Sequence, residues 1–182
     1  DAKGDVWSFG DNKYGALGRS TASRPGAEKI LGKVRGLPSA VKWVSVRSGW
    51  AHVVVKGVNQ DGSTVFYGWG RRDLGQYLPK SRPRETGVRG AEGRSGAGVG
   101  VVEPTVPLHH HPVELLPLPD GARMVEVWCG AEHTVAADSQ GRLWCCGWND
   151  HSVSSAAATE TAEPTAASWA PVKEIGGQLA RA

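Results

Sequence analysis

The sequence predicts an all-β fold: part of a β-propeller, with antiparallel four-stranded blades. Three observations predict it. The first is a repeated unit, V-x-V-x-x-G-x-x-H followed by an apolar run, a turn and an aromatic strand ending in Gly. It appears once from Val44 through Gly49 and His52 to Gly70. It appears again from Val125 through Gly130 and His133 to Gly147. The second is a further copy of the aromatic strand at Gly4 to Gly10. A self-match at this period signals a repeat architecture. The third is residue type. The segments are short, rich in Val, Thr and Trp, and punctuated by Gly, which favours strand over helix. Val53-Val54-Val55 and Val65-Phe66-Tyr67 are apolar without alternation. Strands with one wet face would alternate, so small sheets stacked face to face around an axis are expected.

Taken in order, residues 4–10 form the first aromatic strand. Asp11 to Gly18 is a loop with Gly at tight-turn positions. Ile30 to Leu37 reads as an outer strand. The first full repeat unit follows, with a turn at Gly57 to Gly62. Gly10, Gly70 and Gly147 align, and Gly15 and Gly75 each follow five residues later. Gly10 to Gly49 spans 39 residues, whereas Gly70 to Gly130 spans 60, an excess of 21. Residues 79–105, rich in Gly, Arg, Pro and Glu, are read as a flexible surface insertion. The repeat resumes at Pro112 to Leu116. Residues 152–168 form a low-complexity loop of Ala, Thr, Ser and Glu, and Pro171 to Ile175 reads as another outer strand. The chain enters the repeat halfway through, so about three blades' worth of a larger ring is expected.

Composition excludes several classes. The formal charge of +3 does not argue for nucleic acid. No apolar run approaches the ~18 residues of a membrane span. Three Cys without framework spacing fit free thiols in a reducing compartment, and so an intracellular protein of cytoplasm or nucleus.

The motif G-x-V-W-x-x-G-x-N-x-x-G-x-L-G at Gly4 to Gly18, with the two V-x-V-x-x-G-x-x-H segments, resembles the repeats of the regulator of chromosome condensation. The resemblance covers most of the chain outside 79–105 and 152–168. It implies a propeller, usually of seven blades, and a family that includes guanine-nucleotide exchange factors for small GTPases. Gly49-Trp50-Ala51-His52 with Trp69 to Gln76 is similar to small secretion-regulating exchange-factor-like members and to a fungal propeller. The plant UV-B photoreceptor of the family pairs through an Arg between Trp and His. Here Ala51 and Glu132 hold that position, which argues against photoreception.

The candidate sites are weighed residue by residue. Gly10, Gly49, His52, Gly70, Gly130, His133 and Gly147 recur in register, so they are assigned structural roles. His109-His110-His111 alternate in facing along a strand and lack a partner at ligand spacing, so no metal is assigned. Cys129, Cys145 and Cys146 are read as small buried hydrophobes. Most of the eight Trp should pack between blades, with Trp50 and Trp148 reaching a rim. The basic residues Lys80, Arg82, Arg84, Arg89 and Arg94 are read as a solvated loop. Asp11, Asn12, Arg71, Arg72, Asp73, Trp148, Asn149 and Asp150 occupy equivalent loops and are expected on one rim, as a partner-binding surface. No catalytic constellation and no cofactor motif is present. The expectation is a non-enzymatic scaffold binding a protein partner. The alternative, exchange on a small GTPase, is implied by the resemblance, and no residue is assigned as the wedge it would need.

Overall fold

The computed structural model describes residues 1, 3–21, 27–80, 108–148 and 168–172. They form three antiparallel sheets. β1 (Trp7–Ser8) pairs with β2 (Gly32–Lys33) in a two-stranded sheet. β3 (Lys42–Ser48), β4 (His52–Val58), β5 (Thr64–Arg71) and β6 (Leu108–Glu114) make a four-stranded sheet in that order. β7 (Met124–Cys129), β8 (His133–Asp138), β9 (Leu143–Gly147) and β10 (Ala170–Pro171) repeat it.

The first aromatic strand is shorter than the seven residues expected from its sequence. Gly4 closes a turn onto the Asp1 carbonyl, and Gly10 turns away at φ +116° to reach the Glu28 carbonyl, leaving only Trp7 and Ser8 in the ladder. The outer strand expected over Ile30 to Leu37 contracts to the matching pair. Pro79 bridges Leu115 and the Lys80 N–H bonds the Glu114 carbonyl, so both sit beside the second sheet. Residues 81–105 of the expected insertion, 152–167 of the expected loop, and Lys173 to Ile175 lie outside the described residues.

The sheets pack face to face through two cores. Between the second and third sheets lie Val54, Phe66, Tyr77, Leu115, Val127, Ala136, Trp144 and Cys146. Between the first and second lie Val34, Val53, Val55 and Trp69. Val53 and Val54 are neighbours that serve opposite cores, which is why the valine run does not alternate. A fully buried Val contributes ~1.5–3 kcal/mol, so this strand anchors both interfaces. Not every inner strand is covered on both faces. β3 alternates, and Val44 and Val46 are each 49% exposed. Trp7, in β1, is likewise 44% exposed. β3 and β7 each carry a register shift at the same repeat position, Trp43/Ser45 and Met124/Glu126. Polar ties cross the second interface as well: Lys56 to Glu126 at 2.9 Å, and the Thr64 hydroxyl to the Met124 carbonyl at 2.9 Å.

Candidate rim site

The repeated glycines create the rim. Gly70 and Gly147 sit at φ +99° and +109°, a region that disfavours a side chain. A Cβ on either would press on the carbonyl of Ala51 or Glu132. The next residue then donates its N–H to that same carbonyl: Arg71 to Ala51 at 2.8 Å, Trp148 to Glu132 at 2.9 Å. Gly49 and Gly130 have a different reason. Each N–H bonds the carbonyl of the following His, and a Cβ would collide with that imidazole.

His52 is fully buried. Its Nε2 lies 3.1 Å from the Thr134 hydroxyl, which donates to the Gln76 carbonyl at 2.5 Å. A hydroxyl has one proton, so His52 must donate from Nε2 and Nδ1 carries none. Burial, reinforced by the nearby His133, pushes the His52 pKa down to about 4, so the ring is neutral. His133 is only half-buried. The third sheet covers His52, while no described sheet covers the equivalent face beyond His133.

Gln76, fully buried, joins this interior to the rim. Its Oε1 accepts the Leu74 N–H at 3.1 Å, and its Nε2 donates to Glu132 at 2.7 Å. Glu132 also meets Arg71 at 3.3 Å. Arg71 is held bidentately by Asp73, Nε to Oδ1 at 2.7 Å and Nη2 to Oδ2 at 2.8 Å, and stands 5.4 Å from the Tyr14 ring. The Asp73 hydrogen bond raises the Arg71 pKa further above its usual range. Beside this network lies a cleft of about 240 Å³, lined by Asp11, Lys13, Tyr14, Ala16, Trp50, Ala51, Arg71 and Glu132. Trp50 is 83% exposed at its edge.

Of the residues expected at a partner-binding rim, Asp11 and Arg71 share the cleft and Asp73 braces Arg71. Asn12 is turned inward, its amide on the Arg19 carbonyl and its Oδ1 accepting the Leu17 N–H. Arg72 is half-buried. Trp148 is 39% exposed on the next loop, and Asn149 and Asp150 lie outside the described residues. The sequence assigns no site role to Tyr14, Ala16 or Gln76. Ala51 and Gln76 enter there only within a family likeness, and Ala51 and Glu132 as a departure from another family member. The register that aligned Gly15 with Gly75 also aligns Ala16 with Gln76, and that signal would have found them. Cys146 donates to the Gln76 carbonyl at 3.7 Å, and Trp69, its repeat equivalent, donates to the Ala16 carbonyl at 2.8 Å. Burial pushes the Cys129 thiol up to about 11 and keeps Cys146 protonated. Among the described residues no three His, Cys, Asp or Glu converge as metal ligands. No described helix is long and apolar enough to cross a membrane.

Residues 3–55 and 125–152 each match the regulator of chromosome condensation (RCC1) repeat. These two segments carry RCC1 repeats, and the sheets have the fold of part of a β-propeller. It is 29% identical over 165 residues to human RCC1 domain-containing protein 1, covering 83% of this chain and 42% of that protein. It is 31% identical over 148 residues to the secretion-regulating guanine nucleotide exchange factor of Bos taurus, covering 81% and 28%. The chain therefore spans less than half the length of these curated relatives. Among solved structures, Prp20p of Saccharomyces cerevisiae, described with its binding properties to Gsp1p and histones, superposes with a TM-score of 0.63 at 22% identity. The match covers 96% of this chain and 35% of that one. Human WBSCR16 gives 0.60 at 17% identity, covering 94% and 35%. At these identities the structural likeness shows the fold.

Proposed function

We propose that this chain contributes a rim docking surface to a non-enzymatic propeller scaffold that binds a protein partner. The observation that carries this reading is Trp50, a large aromatic ring 83% exposed beside a cleft whose charged walls are already held in place. Binding hot spots are enriched in Trp and Arg, and an exposed Trp beside an ordered Arg supplies both. Arg71 spends its donors on Asp73 and Glu132, so little side-chain entropy remains to be lost on docking. The test is capture of the partner by the protein as the cell makes it, with and without Trp50→Ala. Capture should fall by about tenfold or more, as for a hot-spot truncation. Melting should stay unchanged, because an exposed ring adds little stability. Undiminished capture would move docking away from this rim.

The second reading is nucleotide exchange on a small GTPase. It is favoured by the similarity to a named exchange factor. Release of a fluorescent GDP analogue from a GTPase panel checks it. Acceleration that survives Trp50→Ala would place exchange elsewhere on the ring.

A further inference from the structure

The rim cleft exists because one repeat lacks a plug that the next repeat carries. At the interface between the second and third sheets, Gln76 and Glu132 fill the rim and bond each other at 2.7 Å, with Arg71 facing Glu132 at 3.3 Å. One repeat earlier, Ala16 stands at the position of Gln76, Ala51 at that of Glu132, and Asp11 at that of Arg71. The backbone confirms the register. Gly15 and Gly75 close the same turn, onto Asn12 and Arg72 carbonyls at 3.0 and 2.9 Å. Arg71 and Trp148 bond Ala51 and Glu132 in the same way. Two methyl groups thus replace an amide and a carboxylate, and the space they leave is the cleft.

The charge at that space is also reversed. In the filled interface a base at the end of β5 faces an acid in the bend before β8. In the open one an acid, Asp11, shares the cleft with the Ala51 methyl. Its Oδ1 accepts only the Lys13 backbone N–H among the described residues, at 2.8 Å. The nearest cations are otherwise occupied: Arg71 lies between two carboxylates, and the Lys13 ammonium sits 5.4 Å over Tyr14. Trp50, where the next repeat has Ala131, adds an exposed aromatic face.

We infer that the cleft is the seat of a partner's cationic side chain, an arginine in particular, placed over Ala16 and Ala51 between the Asp11 carboxylate and the Trp50 ring. Arginine suits both walls, since its planar guanidinium pairs with a carboxylate and stacks on an aromatic ring at once. This deepens the rim reading and rests on it. The seated arginine takes the place that Glu132 fills in the neighbouring repeat, with the sign of the pair exchanged.

The experiment uses the protein as the cell makes it and two fluorescein-labelled pentapeptides, Gly-Gly-Arg-Gly-Gly and its citrulline analogue, which keeps the shape and removes the charge. The arginine peptide should bind about fivefold more tightly, an advantage lost in Asp11→Asn and weakened by salt. Equal binding of the two peptides, or an advantage that survives Asp11→Asn, overturns the assignment. A partner-free measurement stands beside it. Ala51→Arg should melt about 3 °C above Ala51→Glu, and Asp11→Asn should close the gap. The reverse order, or a gap indifferent to Asp11, also overturns it. If Trp50→Ala weakens partner capture and Asp11→Asn does not, the rim reading stands and the arginine assignment falls. If neither weakens capture, the rim reading itself falls.

Discussion

Arg71 ends β5 of the second sheet and Glu132 lies in the bend before β8 of the third; 61 positions apart in sequence, they meet through a 3.3 Å contact at the rim. Glu132 holds Gln76 with its second oxygen at 2.7 Å, and Gln76 is fully buried. The pair therefore couples an accessible surface to the packing between sheets. Removing Glu132 leaves the Gln76 amide a long 3.4 Å contact to Asp73 as its remaining recorded acceptor. Glu132→Ala should cost ~1–2 kcal/mol in urea unfolding, the scale of a poorly satisfied buried donor. Glu132→Gln should cost less, because its amide oxygen still accepts. Equal costs would show that charge, and not hydrogen bonding, dominates there.

Stability should fall on acidification through His52. Its folded pKa is about 4 against an ordinary 6.5. Between those values the unfolded chain takes up a proton that the folded chain refuses. The contribution is complete above about pH 6.5 and declines as pH drops toward 4, by roughly 3 kcal/mol for a depression of this size. Urea midpoints at several pH values should show this slope, and His52→Gln should flatten it. A slope unchanged in that variant would assign the titration to another group.

Asp138 organises the turn between β8 and β9. Its two oxygens accept the backbone N–H groups of Gln140 and Arg142, the Arg142 guanidinium and the Trp144 indole, at 2.7 to 3.1 Å. Burial alone would raise its pKa, but these bonds outweigh it and bring it down to about 2. Its contribution should be full above pH 4 and fade as pH falls through about 2. Asp138→Ala should cost ~2–3 kcal/mol, since the Trp144 N–H is left buried without an acceptor. A loss below ~0.5 kcal/mol would mean that the turn forms without it.

The glycines should separate into two groups. At Gly49 a Cβ would lie 2.4 Å from both the Gly130 carbonyl and the His52 ring. At Gly62 and Gly141, both at φ +81°, it would meet nothing within 4 Å. Gly49→Ala should cost ~3 kcal/mol or more through overpacking. Gly62→Ala and Gly141→Ala should cost ~1 kcal/mol through backbone strain alone. Thermal melts of the three variants distinguish the mechanisms, and similar values would remove the collision argument.

The sequence by itself determined the repeated strands β3 to β5 and β7 to β9 and their register, because these depend on local chemistry. Glycine at a left-handed φ, valine-rich runs and the Gly–His spacing recur wherever the same turn and pairing must form. Tertiary structure decided what each repeated position does, because a propeller residue is buried by the sheet beside it. Val46 and Val127 hold equivalent register positions, yet Val46 is 49% exposed and Val127 fully buried, since among the described residues the first sheet beside Val46 has two strands and the second sheet beside Val127 has four. His52 is sealed and held neutral by the third sheet, while His133, identical in local sequence role, remains half-exposed. The cleft follows the same logic. Ala16 and Ala51 are unremarkable in sequence, 35 residues apart. They define a vacancy only once the packed sheets bring them together, where the next repeat brings together Gln76 and Glu132.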